Sequence, residues 1–77
     1  MNAERRKKLE EISGKIEDLK ALVEEIKDAE QEAHDNLPES LQDAEQGRKM
    51  DETIGSLESV EESLGSAISS IEEATIA

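Results

Sequence analysis

The side chains able to do chemistry are one histidine, His34, and the 21 Asp and Glu residues of a 77-residue chain. A carboxylate-bridged metal pair inside a helix bundle needs Glu three residues ahead of His on an inward face. Gln31 holds that place here, and Glu30 stands four ahead, which supplies one contact and no site. The sequence therefore predicts His34 as a solvated or capping residue near a turn. With no cysteine there is no thiolate nucleophile and no thiolate metal site. One histidine does not make a convincing Ser–His–Asp set. The stretch DAEQGRKMDE alternates acids without calcium-loop spacing, and no Gly-rich phosphate loop is present. The pairs Glu10–Glu11, Glu17–Asp18 and Glu24–Glu25 recur every seven residues, as the solvated outer face of a helix does. The expectation is a protein without catalytic residues, metal or cofactor, and so not an enzyme.

The charge narrows the partners. The formal net charge is −12, and it is unevenly spread. Residues 1–27 carry seven acids and seven bases, which cancel; residues 28–77 carry fourteen acids against Arg48 and Lys49 alone. Such a surface repels phosphates, and with no aromatic residue there is nothing for bases to stack on. Direct nucleic-acid binding is not expected. No apolar run approaches the ~20 residues of a membrane span, and MNAERRKKLEE has no apolar segment behind its basic residues, unlike a signal peptide. The chain reads as a cytoplasmic protein that does not enter membranes.

The elements follow from periodicity. Leu9, Ile12, Ile16, Leu19, Val23 and Ile26 are spaced 3-4-3-4-3, the pattern of a helix packed along a seam. Leu22 and Ala29 widen it on one flank. Asn2 is a fair N-cap, and Glu4–Lys8, Glu11–Lys15, Glu17–Lys20 and Glu24–Lys27 are spaced to pair on the outer surface. A first helix is placed at about 3–35. Met50, Ile54, Leu57, Leu64, Ile68 and Ile71 repeat the seam, with Glu61 interrupting it and Val60, Ala67 and Ala74 beside it. A second long helix is placed at about 48–75. Between them, at about 36–47, lies an elbow. Asn36 tolerates the left-handed conformation that often closes a helix. Pro38 disfavours helical geometry at Leu37 and has no N–H to donate. PESLQ then opens a short helical piece, and Gly47 is a second weak point. The short connection predicts an all-α fold, an antiparallel two-helix hairpin of coiled-coil type in a single domain spanning 1–77, with ERRKK beside Glu72 and Glu73. One hairpin leaves each seam half wet, so the expectation is a homodimer that closes a four-helix bundle and uses the twelve seam residues named above.

The run Glu30–Gln42, with DNLPESLQ at its core, then Gly47, Met50 and the heptads of Ile54–Ala74, resembles a group of small acidic helical proteins of phages and prophages. Members usually carry Ala and Leu in the second helix where this chain has Ser and Gly. The resemblance implies a helical hairpin of phage origin and brings no catalytic residue or activity. Its context suggests a small interaction module that binds and inhibits or modulates a host protein, in an anti-defence role. In the sharper form of that idea, carboxylates such as Asp51, Glu52, Glu58, Glu61, Glu62, Glu72 and Glu73 imitate DNA phosphates. Candidate partner-binding residues are Leu37, Pro38, Glu39 and Leu41 at the elbow and Asp51, Glu52, Glu58, Glu61 and Glu62 beyond it. The alternative is a structural coiled-coil or scaffold accessory with no inhibitory role.

Overall fold

A computed structural model describes all residues, 1–77. It contains three helices: α1 (Ala3–Asp35), α2 (Glu39–Gln42) and α3 (Glu45–Ile76). There are no strands. The two long helices pack together along most of their length, and the molecule is a rod of 58 × 15 × 11 Å. Contacts between Arg6 and Thr75, Lys27 and Glu61, and His34 and Asp51 fix the helices as antiparallel. No helix is long and apolar enough to cross a membrane.

Local chemistry sets the ends. The Asn2 side chain accepts a hydrogen bond from the Arg5 N–H at 2.9 Å, satisfying one of the orphan donors at the start of α1. At the other end Asn36 is right-handed (φ −83°, ψ −6°). No residue, glycine included, has a positive φ, so the left-handed closure anticipated at Asn36 does not occur. The Leu37 N–H instead donates to His34 O at 3.1 Å, and Pro38 ends the ladder because it has no N–H. The Pro38 carbonyl then accepts from Leu41 and Gln42, which makes α2 a single turn.

The elbow is shorter than the sequence implies. α3 begins at Glu45 rather than near Arg48, so Gly47 lies inside its first turn. Gly47 is one of only two buried residues. A Cβ there would overlap the backbone of Gln42. Gly47 is therefore not a break; it lets the first turn of α3 lie directly against the last turn of α2.

The packed face of α1 also differs from the expected stripe. Half-buried positions run Leu9, Ser13, Ile16, Lys20, Val23, Lys27, Glu30 and His34, at 4-3-4-3-4-3-4 spacing. Leu9, Ile16 and Val23 belong to the expected seam. Ile12, Leu19 and Ile26 do not enter it and stay 46, 53 and 58 % exposed. The α1 stripe is wider than one partner helix can cover, and α1 is turned so that polar residues on its flank reach α3. On α3 the facing positions are Met50, Ile54, Leu57, Glu61, Leu64, Ile68 and Ile71, all half-buried or buried. Ile54 is the only buried hydrophobic residue.

Candidate interaction surfaces

Helix geometry gives the rod two unlike broad faces. Positions one residue apart lie on opposite flanks of the α1 seam, so Ser13, Lys20, Lys27 and His34 fall to one side, and Ile12, Leu19 and Ile26 to the other.

The first face is ionic. Lys27 Nζ reaches Glu61 Oε1 across the hairpin at 3.0 Å, with both side chains less than a quarter exposed. This explains why a carboxylate interrupts the α3 seam: it has a dedicated cation opposite. Lys20 lies over Gly65, where a Cβ would sit 3.6 Å from its ammonium. Lys20 and Lys27 line a shallow groove with Glu58, Glu61, Glu62 and Gly65. The hydrogen bond to Glu61 holds the Lys27 ammonium above its ordinary pKa of 10.5. Desolvation opposes this, and the negative charges of Glu61, Glu58 and Asp28 reinforce it. Of the pairs anticipated along α1, Glu4–Lys8 closes at 3.7 Å, whereas Lys20 and Lys27 turn inward.

His34 sits at the elbow end of this face and is not solvated. Its side chain is 13 % exposed, with Asp51 Oδ1 3.2 Å from Nε2 and Asp35 Oδ1 3.5 Å from Nδ1. A neutral imidazole has one N–H and can answer only one of these carboxylates. No group of three or more His, Asp or Glu side chains is arranged to hold a metal ion.

The five acids singled out on α3 do not form one patch. Glu58 and Glu62 stand at the groove, opposed by Lys20 and Lys27. Glu61 is withdrawn into the seam by Lys27, which removes it from the outer surface where recognition would need it. Asp51 contacts His34, and Glu52 lines a separate depression with Lys49, Thr53, Ser56, Leu57 and Val60. A continuous row of phosphate-like carboxylates is therefore interrupted by lysines.

Charge instead accumulates at one end of the rod. Residues 28–52, which form the end of α1, the elbow and the start of α3, hold nine acids and two bases. The elbow is braced from within: Gln42 Nε2 donates to Leu37 O at 2.9 Å, and Arg48 Nε donates to Asp43 O at 3.1 Å. Leu37 is half-buried, Pro38 and Glu39 are exposed, and Leu41 is 41 % exposed among these acids. At the opposite end Arg6 Nε donates to Thr75 O at 2.8 Å. A cation thus meets the carbonyl-rich C-terminus of α3, where the helix dipole is negative.

The second broad face is apolar. Ile12, Leu19, Leu22 and Ile26 of α1 and Val60 of α3 are 42–58 % exposed. The cross-contacts set the register, so Val60 is level with Ile26, Ala67 with Leu19 and Ala74 with Ile12. The sequence pattern places Ile12, Leu19 and Ile26 in one seam with Leu9, Ile16 and Val23; the signal that separates them is the heptad Ser13–Lys20–Lys27–His34, of which Lys27 and His34 pair with Glu61 and Asp51 of α3. No protein-family model, curated protein or solved structure matches the chain.

Proposed function

We propose that this chain is a small phage-type interaction module that dimerises through its apolar face and offers its acidic elbow end to a basic surface on a host protein, whose activity it inhibits or modulates. The observation that carries the reading is the elbow end: residues 28–52 hold nine acids and two bases, and Leu41 is exposed on the braced turn at their centre. Carboxylates around a small apolar contact suit a partner with a basic rim and an apolar pocket, because complementary potentials speed encounter and fix orientation. The DNLPESLQ resemblance to phage and prophage proteins supplies the host context.

Dimerisation is supported by area. The accessible surface is 5623 Å², about 900 Å² more than the ~4,700 Å² of a compact monomer of this mass. One partner's share of a standard interface is about 800 Å². The excess matches what a second copy would remove.

Recognition is tested by comparing the native chain with Leu41→Ser and with Glu39→Gln/Asp43→Asn/Glu45→Gln as immobilised baits for host lysate. The expected result is a species held by the native chain and lost by both variants, and released as salt shortens the screening length from about 30 to about 3 Å. Duplex DNA added as competitor reads out phosphate imitation separately. A species retained equally by all three baits and indifferent to salt would overturn the acidic-end reading and favour the structural accessory, whose function depends on the seam alone.

A further inference from the structure

We infer that the second copy lies antiparallel on the apolar face, its twofold axis crossing the rod at the level of Leu19 and Ala67, so that the two acidic elbows point in opposite directions. The inference rests on the dimer proposed above and adds its geometry. Two face-to-face arrangements satisfy a twofold. With the axis along the helices, α1 stacks on the partner's α3 and both elbows meet at one end. With the axis across the helices, α1 stacks on the partner's α1 and the elbows separate.

Charge decides between them. The apolar stripe of α1 is continued toward the N-terminus by Lys8 and Arg5, with Lys15 within it, and all three are exposed. The neighbouring column toward the C-terminus carries Glu25 and Glu32, also exposed. Antiparallel stacking about Leu19 sets Ile12 against the partner subunit's Ile26. It also brings Arg5 and Lys8 level with the partner subunit's Glu32, and Lys15 near the partner subunit's Glu25. Stacking on α3 would set Lys15 level with the partner subunit's Ile71, beside the partner's Glu72 and Glu73, both exposed, and carry Lys8 and Arg5 to the end of that helix, so the cations alone do not separate the two forms. That arrangement brings together two elbow ends with nine acids and two bases each, a repulsion that the antiparallel form avoids and that is strongest at low salt. The α3 face offers little obstacle to the antiparallel form. Val60, Ala67 and Ala74, flanked by Ser56, Ser63 and Ser70, are small and uncharged, so two α3 helices can approach closely.

The isologous arrangement makes the module two-headed, with one acidic tip at each end of the bundle. A spin label on Glu39→Cys tests this, because Glu39 is exposed, lies far from the apolar face, and would be the only cysteine in the chain. Light scattering on the same sample reports the oligomeric state. The expected result is a dimer with a label separation of about 50 Å, the length of a 33-residue helix. A dimer with labels within about 20 Å, two helix spacings, would overturn the antiparallel geometry and leave the dimer standing. A folded monomer at micromolar concentration would overturn both. Leu19→Cys gives a second reading: alone it should form a disulfide across the twofold. A disulfide that instead requires a mixture of Leu19→Cys and Ala67→Cys chains reports the parallel-axis form.

Discussion

At Gly47 and Gly55 the same residue type answers to different physics. Both lie in α3, where glycine costs about 1 kcal/mol relative to alanine. At Gly55 a Cβ meets nothing within 4 Å, so Gly55→Ala should stabilise the fold by up to about 1 kcal/mol, read as a rise in Tm of roughly 4–8 °C. At Gly47 the added carbon runs into the Gln42 backbone, which cannot yield as a side-chain tip can. Gly47→Ala should therefore destabilise by about 1–3 kcal/mol, the usual cost of overpacking. Equal effects of the two substitutions in urea melts would show that the α2–α3 contact is not tight. Lys27 supports a prediction of a different kind. Its folded-state pKa lies above the ordinary 10.5, so its stabilising contribution is complete below the unfolded value and is lost as pH rises through the folded one. Lys27→Gln should lower Tm at neutral pH, and the difference from the native chain should shrink as pH climbs past 10.5. A gap that stays constant into strong alkali would mean the charge contributes nothing.

Along α1, residues three apart in the sequence have opposite roles, and substitution should separate them. Ile16 is half-buried against α3, while Leu19 is 53 % exposed on the apolar face. A carboxylate at position 16 would replace an apolar contact in the intrachain seam and face α3, so Ile16→Asp should abolish cooperative folding. Leu19→Asp leaves the intrachain seam intact; it should keep the helical circular-dichroism signal and lose the dimer. If both variants unfold alike, hairpin and dimer form a single cooperative unit. Much of the architecture was legible here. The 3-4 spacing located both long helices, Pro38 located the turn, and Asn2 acts as the cap its side chain suggests. Two features were not legible. Periodicity reports which side of a helix is greasy but not which part of a wide stripe its neighbour takes, and that choice depends on Lys27, His34 and their partners some 17 to 34 residues away. Gly47 read as a break because glycine signals both weakness and close approach, and only the position of Gln42 distinguishes them.

The whole molecule is a thin rod with one buried hydrophobic residue and a charge of −12, and these facts set its response to concentration and salt. A core this small gives the isolated hairpin little stability, and in the proposed dimer most of the apolar burial comes from the second copy. Folding coupled to dimerisation obeys mass action. Each tenfold rise in concentration adds about 1.4 kcal/mol to the dimer, which for a pair of this size corresponds to a Tm rise of roughly 3–6 °C. Salt acts through a separate channel. Two chains of −12 each repel when they associate, so screening should raise Tm at fixed concentration, with most of the effect complete once the screening length falls to about 8–10 Å. The same screening weakens attraction to a basic partner, so the two responses carry opposite signs. Measuring Tm and partner retention over one salt series separates self-assembly from recognition. A Tm independent of concentration, or one that falls with salt, would mean that the apolar face is not where the rod gains its stability.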